Sequence, residues 1–279
     1  MDPSVFMAVI AAAAMHAGWN AILKIRLDPL IAVVLITGAS SLIALPIAVW
    51  MGPPPAHVWP WIAGAITVHM AYYLTLTSAY RRADMGFVYP IARGGSPLLT
   101  TLFSLVLLGE PIDLQGVVGV AVVAGGVLAI AWRPRGGGFD GAALALAAAC
   151  ALSIAVYSII DGLGARATGD PHMYSAWLFL LEGPTVLCVA LLRLGPGALR
   201  PITGFLGPGI AGGAMSLSAY WITIWAMTKA PIGLVAAVRE SSVLFAAIIA
   251  VVVLKEKLQA NRLAAAVLIV AGLVLIKLH

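Results

Sequence analysis

AYYLTLTSAYRRADMGFVYPIARGGSPLLTTLFSLVLLGEPIDLQGVVGVAVVAGGVLAI, residues 71–130, returns in reworked form at residues 219–276. Ala71-Tyr72-Tyr73 matches Ala219-Tyr220-Trp221, and Gly86-Phe87-Val88 matches Gly233-Leu234-Val235. Arg93 matches Arg239, Gly109-Glu110 matches Lys255-Glu256, and Ala124-Gly125-Gly126 lands on Val270-Ala271-Gly272. Apolar segments match one another easily by chance, so the aligned Arg and Glu carry most of the weight. Five hydrophobic spans separate the two copies. An odd number of membrane crossings turns the second copy upside down relative to the first. Inverted copies in one membrane are the usual architecture of a secondary transporter, with the substrate held near the midplane where they meet.

Composition sets the class. Hydrophobic residues make up 62% of the 279 and charged ones only 10%, far from the balance of a soluble domain. A helix needs about 20 apolar residues to cross a bilayer, so ten crossings use about 200 residues. Short loops take the remainder, leaving no room for a soluble domain. The net charge of +5 is therefore no nucleic-acid signal, and no nucleic-acid partner is expected. Cys150 and Cys188 fall inside spans and read as small buried hydrophobes rather than a disulfide or a metal site. Met1-Asp2-Pro3-Ser4 lacks the positive region of a secretory signal, so the run that follows reads as a retained first span.

The first half gives spans at Ser4–Leu23, Leu30–Trp50, Trp59–Ala79, Met85–Leu108 and Leu114–Trp132. The second gives Gly141–Ile160, Met173–Leu192, Phe205–Met227, Ile232–Leu254 and Leu263–Leu278. Asp28-Pro29, Gly52-Pro53-Pro54-Pro55, Gly136-Gly137-Gly138, Asp170-Pro171 and Gly195-Pro196-Gly197 punctuate them. The triple glycine is the natural junction. The expected architecture is an all-α integral membrane protein of ten transmembrane helices in two inverted five-helix repeats, residues 1–135 and 139–279.

Lysine and arginine report orientation. Loops after odd-numbered spans hold Lys24, Arg26, Arg81, Arg82, Arg133, Arg135, Arg193, Arg200, Lys255, Lys257 and Arg262. Loops after even-numbered spans, with the C-terminus, hold Arg166, Lys229 and Lys277. The richer set should face the cytoplasm, which puts both termini outside the cell.

Arg93 and Arg239 are left over, and both lie inside spans at equivalent places in the repeat. A central arginine costs roughly 2.5–3.5 kcal/mol on insertion scales, so each must face protein or water rather than lipid. Glu182 and Glu240 are the acidic residues assigned to spans. The four either form structural ion pairs, or one arginine meets a substrate carboxylate with its planar fork. Direct substrate contact is expected of at most one arginine. For proton coupling the candidates are Glu182 and His69.

The fourth span is the most irregular: Tyr89-Pro90-Ile91-Ala92-Arg93-Gly94-Gly95-Ser96-Pro97. Pro90 and Pro97 bracketing Gly94-Gly95 should free backbone carbonyls and kink the helix. Lipid tolerates that only beside protein or a hydrated cavity, so the span reads as a cavity wall or as a packing kink. Its repeat has Ser241-Ser242 and no proline. His69, Tyr72 and Tyr73 are three and four residues apart and share one helix face. Tyr220 and Trp221 repeat that face, and Trp19-Asn20, Tyr157 and Trp177 add polar-tipped groups. Trp50, Trp59, Trp61 and Trp132 sit at span ends and read as the interfacial belt. Together with Tyr89 and Arg93, the deeper aromatics suit a pocket for a solute with a charged head and an apolar body.

Ten spans in two halves, each with a Glu-containing turn and a Gly-rich last span, resemble the EamA-type transporters of the drug/metabolite transporter superfamily. Ser96-Pro97, Gly109-Glu110, Gly116 and Ala124-Gly125-Gly126 look like the repeat signature, and Gly18-Trp19-Asn20 through Lys24 resembles its opening. The likeness covers essentially the whole chain. Among bacterial members it is similar to amino-acid exporters of the YddG type, which implies export of uncharged, often aromatic, amino acids across the inner membrane. Arg93 departs from the small residues many such sequences carry there. The four-span multidrug relatives use a glutamate in the first span, where this chain has His16, Trp19 and Asn20, so proton-for-cation exchange by that chemistry is disfavoured.

The expected substrate-binding set is His69, Tyr72, Tyr73, Tyr89, Arg93, Trp177 and Trp221, with Glu182, Arg239 and Glu240 as coupling or structural charges and Pro90, Gly94, Gly95 and Pro97 as the helix break. A small-molecule substrate and the lipid bilayer are the expected partners of a monomer, with no cofactor or metal. Export of other metabolites or organic cations is the alternative on the same fold, and a channel the alternative of another class. An enzyme is not expected: the chain has no Gly-x-Ser-x-Gly and no His-Glu-x-x-His.

Overall fold

The computed structural model describes residues 1–22, 27–82, 85–131, 141–252, 255 and 260–278. The glycine junction 136–138 and Lys24, Arg26, Arg133, Arg135, Glu256 and Lys257 lie outside these residues. The helices are α1 (Pro3–Ile22), α2 (Pro29–Met51), α3 (Trp59–Tyr80), α4 (Met85–Val106), α5 (Leu114–Ala131), α6 (Gly141–Thr168), α7 (Pro171–Leu194), α8 (Leu206–Met227), α9 (Ile232–Arg239), α10 (Ser242–Val252) and α11 (Ala260–Leu278). Short 3-10 segments, Ala56–Val58 and Pro196–Phe205, precede α3 and α8. The described regular structure is all helical, and α9 with α10 makes the ninth of ten membrane spans.

Equivalent helices start the same way at opposite ends of the bundle. Asp28 caps α2 by accepting from the Leu30 N–H at 2.9 Å, and Asp170 caps α7 by accepting from the His172 N–H at 2.8 Å. Pro29 and Pro171 occupy the first helical position, where the missing N–H would have had no helical partner anyway.

The packing has the pattern of an internal two-fold axis. Second spans pair with each other (α2 with α7), as do fourth spans (α4 with α9) and fifth spans (α5 with α11). The contact of α1 with α8 is mirrored by that of α3 with α6, and α1 with α9 and α10 by α6 with α4. The α5–α11 seam is close enough to require glycine from both sides. A Cβ on Gly119 would stand 3.0 Å from the Gly272 carbonyl oxygen, and one on Gly272 2.7 Å from that of Gly119. Backbones meeting this closely gain dispersion contacts, which replace the hydrophobic drive that lipid cannot supply. Leu42, Val49, Trp50, Leu102, Val106, Leu192, Val267 and Val274 are turned outward, as a lipid-facing surface requires.

One boundary and the place of the helix break differ from the sequence reading. The sixth span does not stop at Ile160 but runs as helix to Thr168, carrying Asp161 and Arg166 inside it. Gly162-Leu163-Gly164-Ala165 is small and apolar enough to continue, and Gly169, with a φ of 73°, ends it.

The expected helix break is in the other repeat. The fourth span, despite Pro90 and Pro97, is assigned as one helix. Pro97 has no N–H for the Arg93 carbonyl, and the Ser96 hydroxyl donates to that carbonyl instead, at 3.3 Å. The proline-free ninth span is the interrupted one. Between α9 and α10 the Glu240 N–H bonds to the Ala237 carbonyl and the Ser241 N–H to that of Val238, at 3.1 and 3.0 Å. These are tight i to i−3 bonds, the form in which a helix changes pitch at a functional hinge. Gly94 and Gly95 serve packing: a Cβ on Gly94 would strike Leu128 of α5, and one on Gly95 would press on Ala151 of α6.

Candidate functional site

Among the described residues the halves line a cavity of about 610 Å³. Its floor is His69, Tyr157, Glu182 and Tyr220 in mid-bundle, and its walls run past Tyr72, Tyr73, Tyr89 and Arg93 to Leu27, Pro29, Tyr80 and Ile249. Pro29 is exposed, so the cavity reaches the surface at the end where α1 and α3 stop and α2 and α4 begin.

The opposite end is tied shut across the repeats. The guanidinium of Arg166, at the end of α6, pairs with the Glu110 carboxylate at 2.6 Å. It also donates to the Met227 carbonyl at 2.7 and 2.9 Å. Glu110 accepts the Ile232 N–H at 2.8 Å and the Ser104 hydroxyl, so the α4–α5 turn is stitched to the start of α9. Lys277 donates to the Met1 carbonyl at 3.3 Å at the same end.

Two charged clusters face the cavity. On α3, α6 and α7, His69 lies between two carboxylates. Its Nδ1 is 2.9 Å from Glu182 Oε1, and its Nε2 is 3.3 Å from Asp161 Oδ2. Glu182 also accepts the Tyr73 hydroxyl at 3.1 Å. Asp161 accepts the hydroxyls of Tyr174 and Tyr220, at 2.9 and 2.5 Å. Asp161 is completely buried, and His69 and Glu182 nearly so.

The second cluster has the opposite sign. On α4 and at the α9–α10 break, Glu240 sits between two arginines, 2.9 Å from Arg93 Nε and 4.0 Å from Arg239 Nε. Arg93 also donates to the Ser242 hydroxyl at 3.4 Å and lies 5.9 Å from the centre of the Tyr89 ring. Arg239 is held over the Tyr220 ring at 5.7 Å. Its Nε and Nη2 are buried without a hydrogen-bond partner among the described residues, although Arg239 lines the cavity. A buried donor left unmade costs about 1–3 kcal/mol, more for a charged group.

An aromatic cage connects the clusters. Tyr157 stands edge-on to His69 with ring centres 4.4 Å apart, and Tyr72 and Tyr220 flank Tyr157 at 5.8 and 5.9 Å. His16, Trp19 and Asn20 line the α1 side, with the Trp19 Nε1–H aimed at His16 Nδ1 at 3.3 Å.

Of the residues expected from sequence, His69, Tyr72, Tyr73, Tyr89, Arg93, Glu182 and Arg239 line the cavity. Glu240 is buried behind the arginines. Two tryptophans do not line it. Trp177 points to the tied end, donating from Nε1 to the Gly52 carbonyl at 2.7 Å and packing edge-on against Trp59. Trp221 stacks on Phe179 and donates to His172 Nδ1 at 2.9 Å. Trp221 is one residue and Trp177 two residues off the face that reaches the cavity: on α8 that face belongs to Tyr220, and on α7 to Phe179 and Glu182. Cys150 is buried, whereas Cys188 is exposed on the outer surface. Among the described residues no group of His, Cys, Asp and Glu side chains is arranged to hold a metal ion.

The model of the EamA-like transporter family matches this chain twice, over residues 3–132 and 141–278. The chain belongs to the EamA-like transporter family. It is thus a multi-pass membrane transporter of the drug/metabolite type. One of the solved crystal structures that match is 19% identical, covers 98% of this chain and 95% of its own, and superposes with a TM-score of 0.75. At that identity the likeness shows the fold alone. No curated protein matched. The residue that sequence reasoning missed in this EamA-like transporter is Asp161, which stands just past the expected end of the sixth span at Ile160.

Proposed function

We propose that this EamA-like transporter is a monomeric exporter of small uncharged amino acids, aromatic ones included, in the bacterial inner membrane. The observation that carries the reading is the presence of two clusters of opposite charge on one aromatic-lined cavity. A zwitterion has a carboxylate for the arginine wall, an ammonium for the carboxylate wall, and a side chain for the rings between them.

Arg239 supports the carboxylate role better than Arg93. Arg93 pairs with Glu240 at 2.9 Å and donates from Nη2 to Ser242, whereas Arg239 stands 4.0 Å from Glu240 and its buried Nε and Nη2 make no hydrogen bond among the described residues. The ammonium is received by Glu182, and the rings of Tyr72 and Tyr157, which line the same cavity, supply cation–π contact. The loop lysines and arginines favour the open end as the cytoplasmic one and both termini as outside. In that orientation the molecule is poised to load from the cytoplasm. Release on the far side requires the Glu110–Arg166 tie to part and the halves to rock about the α9–α10 hinge. A chain tied this way at one end is built for alternating access rather than for an open channel.

Flux of labelled amino acids into liposomes containing the purified protein tests the reading. Saturable flux that unlabelled zwitterions compete away, and organic cations do not, is the expected result. Absence of flux for every amino acid tried would remove the substrate class.

A further inference from the structure

The acidic cluster has a property that amino-acid recognition does not use. Each of the two contacts of His69 joins a ring nitrogen to a carboxylate oxygen. Both kinds of atom are acceptors unless one carries a proton, so each contact needs a proton of its own. A neutral ring protonated at Nδ1 satisfies Glu182 but turns the Nε2 lone pair on Asp161. That second contact, 3.3 Å long, has no aligned hydrogen bond. The cluster is therefore one proton short whenever the ring is neutral and both carboxylates are ionised.

Its three groups also sit at different depths. Glu182 lines the cavity, whereas Asp161 does not. Asp161 lies seven residues before the end of α6, or about 10 Å from the tied face of the bundle. Tyr174, in the first turn of α7, donates its hydroxyl to Asp161 from the side of that face. Buried chains of carboxylates and histidine at membrane depth are the usual material of a proton path.

We propose that Glu182, His69 and Asp161 form a proton-binding relay between the cavity and the outer half, through which one proton is exchanged for each substrate exported. The inference rests on the transport reading above and adds its driving force. The substrate ammonium and the proton compete for Glu182. When a zwitterion enters from the cytoplasm, its ammonium takes the place of the proton, which leaves into the open cavity. After release outside, Glu182 regains a proton delivered through Asp161 and His69, and the protonated, satisfied cluster lets the halves return. Nothing is oxidised or reduced, and one proton moves inward for one amino acid moved outward.

The other groups around the ring do not supply that proton at rest. Tyr157 and Tyr72 present rings, Tyr73 and Tyr220 donate to the carboxylates, and Arg239 lies beyond Tyr220. Arg93 is committed to Glu240.

The experiment uses liposomes with an entrapped pH dye and the membrane potential clamped. With a pH difference of about one unit, the wild type should accumulate its amino acid about tenfold uphill, with matching dye response. Asp161→Asn, outside the cavity lining, should keep substrate-for-substrate counterflow, in which the carrier returns loaded, and lose net pH-driven accumulation. Wild-type flux that is indifferent to the pH difference and silent in the dye overturns the relay and leaves the transport reading intact. If no amino acid is carried, the transport reading fails, and nitrogen-15 NMR of the histidine rings decides the relay by itself. A His69 ring that carries protons on both nitrogens in the wild type and on one in Asp161→Asn is expected. A ring of one fixed neutral tautomer in both proteins overturns the relay.

Discussion

The cavity's two charged clusters are near-opposites of each other. One holds an imidazole between two carboxylates, the other a carboxylate between two guanidiniums. They differ in what they can give up. Guanidiniums keep their protons in proteins, so the α4–α9 cluster has a fixed excess of positive charge and can answer only with an anion. The cluster on α3, α6 and α7 is made of groups that gain and lose protons, so it can change sign during a cycle. One wall thus recognises and the other responds. The difference follows from residue type, since both clusters are similarly buried.

The largest effect should come from cutting the fixed cluster at its tightest contact. Arg93→Gln leaves Glu240 buried with Arg239 4.0 Å away as its remaining partner. Breaking a buried pair this way costs about 3–5 kcal/mol. Thermal unfolding in detergent should show it, and Arg93→Gln combined with Glu240→Gln should recover part of the loss. Single and double variants that unfold alike would mean the three charges do not act as one unit.

Arg239 should behave differently. Arg239→Gln removes an uncommitted donor, so stability should change little while transport of a zwitterion falls about 100-fold, the equivalent of roughly 3 kcal/mol. An amino-acid amide, which lacks the carboxylate, should be equally poor for both proteins in counterflow. If Arg93→Gln produces the transport loss and Arg239→Gln does not, the assignment of the two arginines is reversed.

On the responsive wall the test is graded. Tyr174→Phe takes one donor from Asp161 but leaves both His69 contacts in place. It should lower stability by about 1 kcal/mol and keep pH-driven accumulation. Accumulation lost as fully as in Asp161→Asn would extend the relay to the tyrosine.

Much of this was legible in the chain. Aligned Arg93 and Arg239 pointed to the fixed cluster, and the spacing of His69, Tyr72 and Tyr73 pointed to the face of α3 that lines the cavity, because helical periodicity survives in any hydrophobic background. The break and Asp161 were not legible, for separate physical reasons. Proline marks a missing hydrogen bond, yet the Ser96 hydroxyl supplies the donor, so α4 stays helical where the sequence looks weakest. A carboxylate at the end of an apolar run looks like a loop residue. The hydroxyls of Tyr174 and Tyr220, brought in from α7 and α8, and the His69 ring on α3 offset the cost of its burial. Long-range partners of this kind leave no periodic trace.

The smallest expected effect concerns Trp177, which residue type alone nominated for the pocket. Its indole N–H is spent on the Gly52 carbonyl at the tied end, beside Trp59, and none of its atoms faces the cavity. Trp177→Phe keeps the ring and its edge-on packing while deleting one hydrogen bond, a loss of about 1 kcal/mol. Uptake KM for aromatic and aliphatic substrates should therefore be unchanged, and the unfolding temperature should drop by a few degrees. A KM that rises selectively for aromatic substrates would put Trp177 against the solute after all. It would also mean that the loaded cavity extends toward the tied end, joining the two regions that the closed end now keeps apart.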